Sequence, residues 1–389
     1  MVAKENYHEM VSFSDKILIF VVPKKILKFM KRSIMNKKCL WLSLLAALVL
    51  VSCHSSKPTA SQAGKSGEKK YAVYSVAFYN LENLFDTIHD VGKNDYEYLP
   101  EGKNKWNSMK YLSKLHNMAK VISGLSTDML PMGPAIIGVS EIENRRVLED
   151  LVKQPELAER GYEIIHVEGP DRRGVDCAFL YNPKLFKLET TKLAPYYTVD
   201  NDTTYRTRGF LIAGGTLHGE RIHFIVNHWP SRGAASPARE RAGELVRVIK
   251  DSLLTAYPGT SVVIMGDLND DPMDKSIAES LGAKREQSET GVSDLFNPWW
   301  NTLVKDGIGT LKYQGKWNLF DQIIISGNLL GTDRSTLKYL KHEIYVRDYM
   351  LQKEGKYKGY PHRTHASGSW LNGYSDHLPS ILYLVKEVR

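Results

Sequence analysis

The stretch Ser261-Val-Val-Ile-Met-Gly-Asp-Leu-Asn-Asp-Asp271 reads as a strand that ends in acids. Val262 to Met265 is a short unbroken apolar run rich in β-branched residues, the pattern of a strand buried on both faces. Gly266 is expected to turn the backbone, and Asp267, Asn269, Asp270 and Asp271 then crowd the strand's carboxyl edge. Such crowding is costly without a positive charge, and hard cations such as Mg²⁺ take oxygen ligands of this kind. The same residues also make good turn chemistry, because Asp and Asn bond their own backbone. Context has to decide between the two.

The N-terminal context is a leader. Residues 1–34 scatter Lys24, Lys25, Lys28, Lys31 and Arg32 among short apolar pieces and are expected to be a mis-called extension before a start at Met35. From there Asn36-Lys37-Lys38, the apolar run Cys39 to Val51 and Ser52-Cys53 follow the order of a secretory signal. Leu50-Val51-Ser52-Cys53 resembles a bacterial lipobox, which makes 35–52 the signal and Cys53 the lipidated first residue. The apolar run is shorter than the roughly 20 residues of a transmembrane span. Residues 53–70, Ser/Gly/Lys-rich, read as a flexible tether to a domain at 71–389. His54 stands where an inner-membrane retention signal would place aspartate, so the expected location is the cell envelope, on the outer membrane where there are two.

The leader also explains the charge. The chain carries +8, from 52 basic and 44 acidic residues. Residues 1–52 hold 9 of the basic and 3 of the acidic ones, which leaves 43 against 41, or +2, from Cys53 onward. Net charge therefore gives no argument for a polyanionic partner. With Cys39 in the signal and Cys53 acylated, Cys177 stands alone and a disulfide framework is excluded.

Along the domain, 71–79, 135–139, 162–167, 175–181, 210–217, 221–227, 322–326 and 380–385 read as strands. Met109, Leu112, Leu115, Met118, Ala119, Ile122 and Leu125 recur at helical spacing, and helices are expected near 146–152, 237–256 and 275–281. The segment holding Trp299 and Trp300 reads as a loop, and 327–372 as polar and irregular. Several strands pair as hairpins, so a two-sheet sandwich with outer helices is expected rather than an open parallel sheet. One pattern recurs: strands stop at Asn80, Glu141, His228, Asp267 with Asn269, Asp321, and Asp376 with His377. Each alone is ordinary as a turn former, helix start or core histidine. Together they supply carboxylates for a hard cation and two imidazoles that titrate near neutral pH.

FYNLENLFD, GVSEIEN, RRGVDCAFLYNP, VNHWPSR, MGDLND, FDQIIIS and YSDHLP, in this order, resemble the endonuclease/exonuclease/phosphatase superfamily of deoxyribonuclease-like enzymes over residues 71–389. The resemblance implies a four-layer α/β sandwich, two mixed, mainly antiparallel sheets with helices outside, and one divalent-metal site at the strand ends. It assigns Glu141 as principal metal ligand with Asn80 beside it and Asp376 near, Glu143 being the adjacent alternative to Glu141. Asp321 and His377 become a pair in which the carboxylate orients the imidazole. Asp267 and Asn269 position water and a phosphate oxygen, His228 is the second histidine, and Arg173 sits where it could contact phosphate. The base is His377 with Asp321, or Asp267.

The expected activity is metal-dependent hydrolysis of phosphodiesters by a monomeric, membrane-tethered nuclease, with Mg²⁺ and with Mn²⁺ or Ca²⁺ as alternatives. The competing readings are a phosphatase or phospholipase C-like enzyme on lipid head-group or inositol phosphates, and a binding protein that lost its chemistry. Arg172, Arg173, Arg206, Arg208 and Arg232 could contact a nucleic-acid backbone. Trp299, Trp300, Tyr313 and Trp317 could stack bases, although core or rim packing is the expected role of such residues.

Overall fold

The computed structural model describes residues 69–198, 207–366 and 368–388. The segments read as extension (1–34) and signal (35–52), Cys53, all of the expected tether but Lys69 and Lys70, and Arg206 lie outside these residues. Val73–Lys386 form one compact unit. The described residues of the other unit are linked by an ion pair from Lys69 Nζ to Glu387 Oε2 at 2.7 Å. No helix among the described residues is long and apolar enough to cross a membrane.

In chain order the first half comprises β1 (Lys70–Leu84), α1 (Ser108–Gly124), β2 (Ile136–Ile142), α2 (Arg145–Val152), β3 (Glu163–His166), β4 (Asp176–Tyr181), β5 (Phe186–Ala194), β6 (Phe210–Leu217) and β7 (Glu220–His228). Then come α3 (Ser236–Ala256), β8 (Ser261–Asp267), β9 (Ala283–Lys284), β10 (Leu295–Phe296), α4 (Trp299–Asp306), β11 (Leu311–Tyr313), β12 (Lys316–Asn318) and β13 (Asp321–Ser326). The last elements are β14 (Lys338–Ile344), β15 (His365–Ala366), β16 (Ser369–Trp370) and β17 (Ser380–Val388).

Two mixed sheets result, in the orders β14-β17-β1-β2-β4-β3 and β5-β6-β7-β8-β13-β10-β9. Strand parity sets the layers, since successive side chains point to opposite faces. Ala77, Tyr79 and Leu81 of β1 pack outward with Leu115, Met118 and Ile122 of α1. Ile225, Val262, Ile264 and Ile324 of the second sheet pack outward with Ala242 and Val246 of α3. The opposite parities, Val76 and Phe78 in one sheet and Phe224, Val226, Val263 and Met265 in the other, are left to face each other across the middle. Gly138 of β2 marks how close the sheets come: a Cβ there would lie 2.6 Å from Met265 Sδ and 3.0 Å from Val226 Cγ2. The architecture is therefore helix, sheet, sheet, helix, as the sequence leads one to expect.

Four local readings need correction. Trp299 and Trp300 open helix α4 rather than a loop, with Trp299 fully buried and its Nε1–H donated to the Ile323 carbonyl at 2.9 Å. Residues 327–372 contain β14, an edge strand with mixed polar and apolar residues that pairs antiparallel with β17; a half-exposed edge strand lacks the apolar run that signals a buried one. Strand β5, antiparallel to β6, escapes notice for the same reason. In α1, Met109 and Leu112 are exposed while Lys114 and Asn117 are buried. The buried pair anchors the 364–374 segment, Lys114 Nζ donating to Thr364 Oγ1 and the Tyr374 carbonyl at 2.6 Å each.

Candidate active site

Three neighbouring strands of the second sheet end level with one another. In the parallel pair β7–β8, His228 lies opposite Asp267, and in the antiparallel pair β8–β13, Asp321 lies opposite Asp267. All three share the inward parity of Phe224, Met265 and Ile323, so their side chains point between the sheets at one rim. Gly266 does not turn the chain. It lies inside β8, where a Cβ would come within 2.4 Å of the Asn227 carbonyl oxygen. The turn comes at Asn269, whose backbone is left-handed (φ 53°) and whose N–H donates to Asp267 Oδ1 at 3.0 Å.

The first sheet meets this row from the other side. Asn80 continues the inward parity of β1, and its Nδ2 donates to Asp267 Oδ2 at 3.0 Å and Glu141 Oε1 at 3.3 Å. Glu141 has the outward parity of Ile137 and Val139, so a regular strand would point it at the helices. Instead the pairing of β2 slips on both sides of it, between Ser140 and Ile142. Glu141 occupies the left-handed region at φ 58°, which strains a residue bearing a Cβ. This bulge turns the carboxylate inward, as bulges beside active sites do. There Oε2 accepts the Asn83 N–H at 3.0 Å.

Asp267 Oδ2 is the hub. His228 Nε2 lies 3.7 Å away on one flank and His377 Nε2 3.8 Å away on the other. His228 Nε2 is also 3.7 Å from Glu141 Oε1. His377 Nδ1 bonds Asp321 Oδ2 at 2.7 Å, and Asp376 Oδ1 stands 4.0 Å from His377 Nε2. Glu141, His228 and Asp267 form one cluster of ligand atoms close enough to share an ion, and Asp267, Asp321 and His377 form a second. Asp321 Oδ1 and His228 Nδ1 are buried with no hydrogen-bond partner. A buried carboxylate oxygen without a donor, in one cluster with the Asp267 carboxylate, suits a hard divalent cation.

Electrostatics separate the two imidazoles. Burial disfavours a charge on His377, but the carboxylates of Asp321, Asp267 and Asp376 outweigh it and hold its pKa well above the usual histidine value. Burial drives the His228 pKa well down, helped by the Arg208 and Arg173 guanidiniums and by His377. Asp267 is pushed up to about 7 by burial and by the charges of Asp321 and Glu141, against the opposing pull of His377. The site thus holds one charged and one neutral imidazole on opposite flanks of a carboxylate.

Most expected residues therefore meet at this rim, and the exceptions are informative. Asn80 presents its amide nitrogen to the acids, while its oxygen accepts the Glu82 N–H at 2.8 Å. Asn269 donates from Nδ2 to the Trp229 carbonyl at 3.0 Å. Asp376 is paired through Oδ2 with Arg363 at 2.7 Å. Glu143 is committed to the Asp86 N–H at 2.7 Å, and burial pushes its carboxyl up to about 9, which leaves Glu141 as the acid at the site. Arg173 is half exposed and reaches His228 through its field alone.

Sequence reasoning missed Arg363, Glu82 and Lys114. Arg363 joins Glu82 Oε1, at 3.1 Å, to Asp376. Buried Glu82, raised to about 7 by burial and Asp376, also accepts the Thr364 N–H at 2.6 Å. Glu82 stood inside the motif that contains Asn80, so its position was visible. Arg363 lies in an irregular stretch that carries no periodic signal.

Comparison with known proteins gives a concordant result. A family model described as Endonuclease/Exonuclease/phosphatase family matches residues 75–386. Among solved structures, an endonuclease/exonuclease/phosphatase family protein from Bacteroides thetaiotaomicron superposes with a TM-score of 0.51 at 16% identity, covering 82% of this chain and 98% of that one. A mannosyl-6-phosphatase, Bt3783, from Bacteroides thetaiotaomicron VPI-5482 also gives 0.51 at 16% identity, covering 80% and 99%. At such identities the likeness concerns the fold. A search of curated proteins finds no relative.

Proposed function

The chain belongs to the endonuclease/exonuclease/phosphatase family and is a metal-dependent phosphoesterase; from that premise we propose that it hydrolyses phosphodiester bonds of nucleic acid. The observation that carries the reading is the flanking of Asp267 Oδ2 by His228 Nε2 at 3.7 Å and His377 Nε2 at 3.8 Å. In-line displacement at phosphorus needs polar groups on both the entering and the leaving side, and this arrangement supplies them. Glu141 would hold the cation, with Asp267 Oδ2 in the same cluster; when bound, the ion supplies Lewis-acid charge to a phosphate oxygen.

The remaining work falls to the chain's own side chains. Asp321 fixes His377 through Nδ1, so that Nε2 is the nitrogen presented to the reacting groups. Asp267 and His377 exchange a proton with water or the leaving oxygen as one coupled unit. His228, uncharged, offers a hydrogen bond to a phosphate oxygen from the opposite flank. Asn269 and Asn80 hold Asp267 in place from its two oxygens.

We also propose that acylated Cys53 tethers the enzyme to the envelope, a reading supported by the Leu50–Cys53 sequence. Replacing Cys53 by Ser should release the protein from the membrane fraction and abolish palmitate labelling; unchanged labelling refutes the anchor.

The decisive assay compares plasmid DNA, RNA, sphingomyelin and inositol phosphates, each with Mg²⁺, Mn²⁺, Ca²⁺ or chelator. Cleavage of nucleic acid with added metal and none with chelator is expected. Turnover confined to lipid or inositol phosphates would overturn the nuclease reading and keep the phosphoesterase.

A further inference from the structure

Beside the active site, a cavity of about 650 Å³ opens between the β11–β12 hairpin and residues 352–363, and Asp376 and Arg363 form part of its wall. That volume lies within the range of about 300–1,000 Å³ typical of small-ligand sites. The same Arg363 is bonded to Asp376 Oδ2 at 2.7 Å, and Asp376 Oδ1 stands 4.0 Å from His377 Nε2. Asp376 thus belongs both to the cavity wall and to the surroundings of His377.

Its lining is aromatic and basic. Tyr360 is fixed, its hydroxyl accepting the Gly315 N–H at 2.6 Å and its ring meeting Tyr357 edge-on with centroids 5.4 Å apart. Lys312 Nζ lies 5.0 Å from the centre of the Tyr360 ring and 5.2 Å from that of Trp317. Lys356 Nζ lies 5.5 Å from the Tyr357 ring. Neither ammonium has a carboxylate partner among the described residues. Tyr313 is 64% exposed and Tyr357 48%, so both lips of the cavity present large ring surface to solvent. A soluble surface rarely leaves large apolar groups clustered without a partner.

Ammonium groups without carboxylate partners beside partly exposed rings suit a flat ring joined to further phosphate. We propose that this cavity is the subsite for the nucleoside next to the scissile phosphate. A base stacks on Tyr313 or Tyr357, and the following phosphate is held by Lys312 and Lys356. The proposal rests on the reading of the site as a nucleic-acid phosphodiesterase and adds to it where the strand runs.

The test compares wild type with Lys312→Ala/Lys356→Ala and with Tyr313→Ala/Tyr357→Ala. The substrates are a short single-stranded oligonucleotide, bis(p-nitrophenyl) phosphate and a sugar monophosphate, and thermal melting confirms that each variant is folded. Losing a stacked base or its phosphate contacts should raise KM for the oligonucleotide roughly 10-fold or more beyond any change on the chromogenic diester. The lysine variant should also flatten the salt dependence of oligonucleotide KM by about one to two phosphate contacts. Equal losses on both diesters, or none on the oligonucleotide, overturn the subsite. So does a sugar monophosphate whose KM rises as much as that of the oligonucleotide. A wild type that cleaves the chromogenic diester but no oligonucleotide overturns the nucleoside assignment and spares phosphodiester hydrolysis; one that cleaves neither diester overturns both.

Discussion

His228 and His377 are both buried imidazoles, and their surroundings shift them in opposite directions, His377 toward its charged form and His228 toward its neutral form. His377 has Asp321 hydrogen-bonded to Nδ1 and two more carboxylates within 4.0 Å of Nε2, whereas at His228 burial dominates, with the Arg208 and Arg173 guanidiniums adding to it, and its Nδ1 has no partner. His377→Ala is expected to lower kcat by about 10²–10⁴, the usual yield of a proton-transfer group, and His228→Ala by about 10²–10³, the usual cost of removing a hydrogen-bond donor to the reacting phosphate, while the melting temperature moves little in either. Activity falling only as far as the folded fraction falls would make the histidines structural. Glu141 is the residue for which the backbone bends into a left-handed conformation, and its role as cation holder predicts a second effect. A ligand that binds only the folded state stabilises it, by about 2.7 kcal/mol at a hundred times its Kd. Added Mg²⁺ or Mn²⁺ should therefore raise the melting temperature of wild type, and Glu141→Gln should remove most of that rise. An undiminished shift in the variant would place the ion elsewhere.

At the scale of elements, β8 is held to β7 at a distance only Gly266 allows. Gly266→Ala would press a methyl group onto the Asn227 carbonyl oxygen, 2.4 Å away in the unrelaxed strand, and backbone cannot swing aside as a side chain can. A cost of about 1–3 kcal/mol is expected from such overpacking, with activity reduced further because His228 and Asp267 lose their level pairing; denaturant melts and kcat on one preparation check both. The join between α4 and β14 should respond to acid. His342 on β14 bonds Thr302 Oγ1 of α4 at 2.8 Å and the Tyr339 hydroxyl at 2.6 Å, and burial lowers its pKa to about 4. The unfolded chain would bind a proton there from about pH 6.5 downward and the folded chain only near 4, so stability is lost as pH falls between them. His342→Gln should flatten the decline of melting temperature over that window; an unchanged slope would show that other groups dominate.

For the whole molecule, the sandwich and much of its site were legible in the chain. Val262–Met265, Ile323–Ile325 and Phe224–Val226 announce buried strands because period and composition are local properties, and parity then places His228, Asp267 and Asp321 on the inner face without any knowledge of the partner sheet. Residues whose signal is not local were not legible. Trp299 looked like a loop residue, and Arg363 sits where no period exists to assign it a neighbour. By itself the sequence determined two sheets with outer helices and a row of acids and imidazoles at strand ends, because alternation and apolar runs survive in one dimension. Only the tertiary structure showed how Glu141, already in that row by sequence, reaches the site, since its parity points outward and a bulge between β1 and β4 turns it back. It alone also decided which histidine is charged, because a pKa answers to groups that meet across two sheets and not to the residues beside it in the chain.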